Sequence, residues 1–142
     1  MHAHEKIIKS LKSQGFRMTQ VRRRLLELFS ETNAPLSVPE IDDALMKKHL
    51  DVNKTTIYRE LEFLVDKKLI QSIQFNEDKK RYELVGDHHH HLVCERCQEV
   101  EEIKIEELED IFPKVEKRLR KLKGFTVVDH SLEFFGTCGK CT

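Results

Sequence analysis

The sequence predicts an α+β protein, with a winged helix-turn-helix domain over residues 1–84 and a small α+β domain over residues 85–142. Three observations support this division. Apolar residues recur at helical spacing several times in the first half, and two short alternating runs follow them. All four cysteines lie in the second half, in two Cys-x-x-Cys pairs. Residues 1–86 carry 16 Lys and Arg against 13 Asp and Glu, whereas residues 87–142 carry 9 against 12, so the first half suits a polyanion and the second suits cations.

Composition limits the class of protein. The chain has 142 residues, of which 39% are hydrophobic and 35% charged, so it can form one domain or two small ones. It contains no apolar run long enough to span a bilayer and no basic-then-apolar leader. We therefore expect a cytoplasmic protein with no membrane partner. In a reducing compartment, paired Cys-x-x-Cys motifs bind metals more often than they form disulfides.

The first half begins with two predicted helices. Residues 5–14 form the first, which ends at Gly15, and Thr19 is a suitable N-cap for the second. Arg17 and Arg22 lie at the start of this second helix. Basic side chains at such a place bind DNA phosphates or form a solvated charged surface, and the sequence leaves both interpretations open.

A third and a fourth helix follow. Ser37 and Glu40 have the spacing of a capping box at the start of the third. In the fourth, residues 54–68, the apolar side chains form one stripe, and the polar side chains near its start face outward: Lys54, Thr55, Tyr58 and Arg59. Such a helix suits entry into a DNA major groove, with phosphate near its positive N-terminal end.

A β-hairpin is predicted after these helices. Two short alternating runs, 72–75 and 81–84, flank a turn at 76–79. Helices followed by a hairpin form a winged helix-turn-helix. A small helical domain with no role in DNA binding is the alternative.

Four consecutive histidines, His88 to His91, precede the first cysteine pair. In an extended segment successive side chains alternate between two faces, so His89 and His91 point one way and His88 and His90 the other. One run can therefore supply two ligand pairs to two different metal sites. A solvated polar loop is the alternative.

The two cysteine pairs predict a structural zinc site. Tetrahedral zinc favours four thiolates at this spacing, here Cys94, Cys97, Cys138 and Cys141. Because 40 residues separate the pairs, the ion would tie a remote C-terminal segment to the first pair. Four protein ligands leave no open position for a substrate. A dithiol redox centre is the rival interpretation, although one pair at a helix start would suffice for it.

The rest of the second half predicts a strand, a helix and a second strand. Residues 99–103 alternate, residues 105–122 have helical periodicity, and residues 125–135 are predicted as a strand that contains His130. Pro113 predicts a break or kink in the helix. The acidic, histidine-rich surroundings favour His130 as a ligand, and the exposed strand edges favour self-association.

Over nearly its full length, the chain resembles the ferric uptake regulator family of metal-responsive repressors. The resemblance rests on four motifs, which together are highly specific: Gly15-Phe16-Arg17-Met18-Thr19-Gln20-Val21-Arg22, Thr56-Ile57-Tyr58-Arg59-Glu60-Leu61, His88 through Cys97, and His130-Ser131-Leu132-Glu133 before the last cysteine pair. It implies a winged-helix DNA-binding domain, a hinge near residues 84–88 and a C-terminal dimerisation domain.

The resemblance also implies three metal sites. The structural zinc falls on the four cysteines. A regulatory hinge-side site falls on Glu83, His89, His91 and Glu102, and a further site in the dimerisation domain falls on His88, His90, Glu109 and His130. The metal of the regulatory site is a second divalent ion: Fe²⁺, Zn²⁺ or Mn²⁺. The general order of metal affinities does not by itself choose among these ions. Many family members add a histidine before the third helix, where this chain has Pro35.

We therefore expect a homodimeric repressor of double-stranded operator DNA, with no enzymatic activity and no small-molecule substrate. The resemblance places base and phosphate contacts on Tyr58 and Arg59, and a minor-groove contact on Arg17. An iron sensor and a zinc-uptake sensor both stay open. Two other classes remain as alternatives: a zinc hydrolase, although the sequence has no His-Glu-x-x-His helix, and a metal-storage or chaperone protein, which would not need Tyr58 and Arg59.

Overall fold

The computed structural model describes residues 3–32, 34–75, 79–86 and 89–142. The chain forms two compact units, Met1–Gly86 and Asp87–Thr142. Helices and sheets occur in both, as the predicted α+β class requires. The turn predicted at residues 76–79 lies largely outside the described residues, as does His88. No helix in the described ranges is both long and apolar enough to cross a bilayer.

In its described residues, the first unit consists of four helices and a three-stranded sheet. Its elements are α1 (Ala3–Ser13), α2 (Gln20–Glu31), β1 (Leu36–Ser37), α3 (Val38–Lys47), α4 (Lys54–Asp66), β2 (Ile70–Ile73) and β3 (Arg81–Leu84). The strands are antiparallel in the order β1-β3-β2. β2 begins two residues earlier than predicted, because Ile70 already pairs with Leu84. The short strand β1 was not predicted, since two residues carry no periodicity.

The predicted helix starts are present in the first unit. The side chain of Thr19 accepts a hydrogen bond from Arg22 N at 3.1 Å, and Ser37 and Glu40 form both bonds of a capping box. Apolar residues at helical spacing then bury one face of each helix in a shared core. Its most deeply buried members are Leu25, Leu26, Ile41, Leu45, Ile57 and Leu64.

Over residues 89–142, the second unit is a three-stranded sheet with one helix. Its elements are β4 (His90–Cys94), β5 (Val100–Ile103), α5 (Glu106–Lys123) and β6 (Glu133–Gly136). β4 lies at the centre, antiparallel to β5 and parallel to β6.

Two expectations for this unit were wrong. Pro113 does not break α5, which runs unbroken from residue 106 to residue 123. The proline lacks an N–H and therefore removes one helical hydrogen bond, but it lies on an exposed part of α5, and the helix continues on both sides of it. The strand predicted over residues 125–135 is much shorter, because pairing with β4 begins only at Glu133.

Candidate metal centres and nucleic-acid interface

The four cysteines converge at one end of the second unit. The parallel pairing of β4 and β6 places Gly136 opposite Cys94, so Cys138 follows two residues later at the end of β4. The turn after β4 brings Cys97 back, and the four Sγ atoms lie within 4.8 Å of one another. The Sγ atoms of Cys97 and Cys138 are 3.8 Å apart. Tetrahedral zinc with bonds of about 2.3 Å separates its sulfurs by about 3.8 Å, so the donor set fits this ion.

The backbone prepares one of these sulfurs for metal binding. The N–H groups of Cys97 and Cys138 point at Cys94 Sγ, at 3.5 Å and 3.3 Å. These donors stabilise the thiolate and lower the pKa of Cys94 to about 6. A hydrogen bond with Cys138 instead raises the pKa of Cys141 to about 12. Zinc would therefore displace the remaining thiol protons when it binds.

A second group of ligands surrounds His91, on one face of β4. The Nε2 atoms of His89 and His91 are 3.2 Å apart, and Glu102 is the cross-strand partner of His91 on β5. Glu102 Oε1 lies 3.8 Å from His89 Nε2. Two imidazoles and a carboxylate in this arrangement can bind a divalent transition-metal ion. The fourth predicted ligand, Glu83, belongs to the first unit, where it lies on β3 and accepts a hydrogen bond from Gln71 Nε2 at 2.8 Å.

The opposite face of β4 carries another imidazole. His90 is fully buried, and its Nε2 lies 3.2 Å from Glu109 Oε1 on α5. Its ring is stacked against that of His130, with centroids 6.0 Å apart. Three of the four residues predicted for this site are thus neighbours, and His88 is the fourth. The contact of His130 Nδ1 is with Glu116 Oε1, at 3.1 Å.

Sequence reasoning missed Glu116. The available signal was its spacing, because Glu109, Phe112 and Glu116 lie at positions i, i+3 and i+7 on one face of α5. Phe112 contacts the rings of both His90 and His130, with centroids 5.3 Å and 4.2 Å away. This face of α5 therefore packs on the two imidazoles.

The start of α4 presents the predicted nucleic-acid surface. Asn53 caps the helix, with its Oδ1 accepting a bond from Thr55 N at 2.8 Å. The polar side chains on the first two turns are exposed: Lys54, Thr55, Tyr58 and Arg59. Arg17, which precedes α2, is exposed as well. An exposed, basic helix start is a suitable surface for phosphate and base edges.

Arg22 differs from the other predicted DNA ligands. Its Nε and Nη2 donate to the two carboxylate oxygens of Glu60 at 2.8 Å and 3.1 Å, and its Nη1 donates to Arg17 O at 2.7 Å. The guanidinium carbon lies 3.8 Å from the ring centroid of Phe63, and only 12% of the side chain is exposed. These contacts connect α2 to α4, so Arg22 holds the exposed helix in position.

Comparison with known proteins agrees with these features. The ferric uptake regulator family matches residues 13–135. The ferric uptake regulation protein of Neisseria meningitidis serogroup A is 35% identical over 137 residues, covering 94% of this chain and 92% of the relative. That of Bacillus subtilis is 31% identical over 142 residues, covering 96% and 93%. The crystal structure of the Vibrio cholerae ferric uptake regulator matches with a TM-score of 0.77 and 27% identity, covering 92% of this chain and 98% of that one. The chain therefore belongs to the ferric uptake regulator family.

Proposed function

We propose that this protein is a homodimeric repressor that binds operator DNA when a divalent metal fills its regulatory site, and that it controls genes of metal homeostasis. The observation that carries the proposal is the pairing, in one chain, of an exposed helix start with histidines on both faces of a single strand. The first suits DNA, and the second suits metal ions.

The DNA contacts belong to α4. Its first two turns carry a lysine, a threonine, a tyrosine and an arginine that are all exposed. Tyr58 and Arg59 are the side chains we assign to bases and phosphates, and Arg17 to the minor groove. Two copies of α4 in a symmetric dimer would enter successive major-groove half-sites about 34 Å apart.

The regulatory metal is assigned to His89, His91 and Glu102, with Glu83 as the predicted fourth ligand. Imidazole with carboxylate suits Fe²⁺, Zn²⁺ and Mn²⁺ alike. Pro35, at the position where many relatives have a histidine, is buried and has no donor atom in its side chain, so it adds no ligand. The candidate functions of iron sensor and zinc-uptake sensor therefore differ only in which ion fills the site in the cell.

Self-association is supported by the apolar surface of the second unit. Apolar side chains of α5 recur on one stripe and are exposed in the single chain: Ile111, Val115, Leu119 and Leu122. Phe134 and Phe135 on β6 are 44% and 40% exposed. A second copy would cover such a surface, since monomers rarely leave large apolar patches in water.

Fluorescence anisotropy with a labelled operator tests the proposal. The zinc-loaded protein is freed of any second metal with a mild chelator, then titrated with each ion under reducing conditions. We expect DNA affinity to rise at least about tenfold with one ion, and Arg59→Ala to remove the binding while Lys123→Ala, on α5, does not. Equal DNA affinity with and without the second ion would refute the metal switch.

A further inference from the structure

The contact between Glu116 and His130 determines which nitrogen of that histidine carries the proton. Glu116 Oε1 lies 3.1 Å from His130 Nδ1, and both side chains are partly buried. An ionised carboxylate accepts hydrogen bonds and donates none, so the nitrogen that faces it carries the hydrogen. His130 is therefore held with Nδ1 protonated and with the lone pair on Nε2.

The nitrogen that carries the lone pair is the one turned towards the protein interior. His130 Nε2 is a buried atom, and the His130 ring is stacked on that of His90. His90 in turn lies against Glu109, another predicted ligand. A histidine that ligates metal through one nitrogen usually donates its other N–H to a carboxylate, which fixes the ring and makes the ligand more basic.

We propose that Glu116 is a positioning residue for the metal site of His90, Glu109 and His130. It fixes the Nδ1-protonated tautomer of His130 and presents Nε2 to the ion, with no bond of its own to the metal. This inference rests on the proposed metal site in the second unit.

The site is measured alone in the full-length chain with His89→Ala and His91→Ala, which remove the other imidazole pair. With zinc retained by the cysteines, Co²⁺ is titrated and followed by its visible absorption. We expect Glu116→Ala to weaken Co²⁺ binding about 10- to 100-fold. Glu116→Gln keeps an acceptor oxygen but loses the charge, so its effect should be smaller. Glu107→Ala, an exposed glutamate on the same helix, is the matched control and should have no effect.

The tautomer of His130 provides a readout that loss of packing would not reproduce. Long-range ¹H–¹⁵N NMR spectra of the protein with His89→Ala and His91→Ala, with zinc in the cysteine site and no second ion, should show His130 protonated at Nδ1. Glu116→Gln should retain that state, because its amide oxygen still accepts the hydrogen bond, whereas Glu116→Ala should lose it.

The outcomes separate this inference from the site on which it rests. A parent that binds no second ion would overturn both. If the parent binds Co²⁺ and Glu116→Ala binds it equally well with His130 still protonated at Nδ1, this inference alone is overturned. Glu116→Leu has a side chain of similar size and no acceptor oxygen, so it carries the test if Glu116→Ala does not fold. A Leu variant with the Co²⁺ affinity of the parent and with His130 still protonated at Nδ1 would then overturn the inference.

Discussion

The two units of this chain are stabilised in different ways. In the first, helices α2, α3 and α4 each contribute buried apolar residues to one core, and Leu25, Ile41 and Ile57 have no exposed surface. In the second, the buried apolar residues of the described part are Val93, Cys94 and Val100. Helix α5, with 18 residues, contains none that is buried.

This difference shows where the second unit must find its stability. Apolar burial contributes about 25 cal/mol per Å² removed from water, and a single copy of the second unit removes little. A small unit without a sufficient core needs a metal or a partner chain. The cysteine cluster can bind a metal, and the exposed stripe of α5 can bind a partner chain. The first unit needs neither.

Loss of zinc should produce the largest difference between the units. Structural zinc contributes apparent binding energies of about 10–16 kcal/mol in small zinc domains. Cys138→Ser should release zinc and unfold the second unit, while the core of the first unit stays folded. Hydrogen exchange resolved by residue, together with elemental analysis for zinc, measures both effects.

Thr137→Ser, at the neighbouring position, is the control and should retain zinc. A Cys138→Ser protein whose β4 and β5 amides stay as protected as before would show that the sheet does not depend on the ion.

A charge within the α5 stripe should weaken the dimer. Burying a leucine contributes about 1.5–3 kcal/mol, and a two-fold dimer loses this twice. Leu119→Glu should therefore raise the dimer dissociation constant by about 100-fold or more, as measured by sedimentation equilibrium.

Lys117→Glu, on an exposed part of α5, changes the charge by more and should affect the dimer less. Equal weakening by the two variants would mean that charge, and not the apolar stripe, controls association.

A cavity in the core of the first unit should destabilise that unit and leave the zinc content of the second unit unchanged. Leu25 has no exposed surface, and Leu→Ala at such sites costs about 2–5 kcal/mol. Leu25→Ala should lower the free energy of unfolding of the first unit by this amount, in urea titrations followed by NMR, while zinc content stays at the wild-type level.

Leu25→Met conserves volume and should cost less than about 1.5 kcal/mol. A loss of zinc in Leu25→Ala would contradict the independence of the two units.

The elements predictable from sequence were those set by local spacing. Helices α2, α3 and α4 have apolar residues at helical period and caps within three residues of their starts, so short windows suffice. The extent of β6 was not predictable, because it depends on where pairing with β4 begins. Local pattern also overestimated the effect of Pro113, which is exposed and lies within a continuous helix.

The candidate sites show the same limit. The zinc ligands were predictable, because two Cys-x-x-Cys pairs have the ligand spacing typical of tetrahedral zinc sites. Arg22 could be identified as basic, but its partner Glu60 lies 38 residues away and cannot be read from the chain. The spacing of Glu116 places it on the same face of α5 as Glu109, but only the fold shows that this face meets His130.

The smallest expected effect concerns helix ends in the first unit. After α1, α3 and α4 the chain turns in the same way, with hydrogen bonds from Phe16 N to Leu11 O, from Leu50 N to Leu45 O and from Leu69 N to Leu64 O, each at 3.0 Å. This Schellman pattern requires a left-handed residue just before the donor. After α1 this residue is Gly15. After α3 and α4 it is His49 and Lys68, which adopt the left-handed conformation at φ 61°.

A side chain in this conformation costs about 1–2 kcal/mol, which glycine avoids at the expense of some chain entropy. Lys68→Gly should therefore stabilise the first unit by about 0.5–1 kcal/mol in urea unfolding. Lys68→Ala removes the same lysine but keeps the left-handed strain, so the difference between the two variants reports the backbone alone. If alanine were as stable as glycine here, the turn would carry no strain. Because the gain arises inside the first unit, zinc content and dimer dissociation should not change, which separates this effect from every effect expected in the second unit.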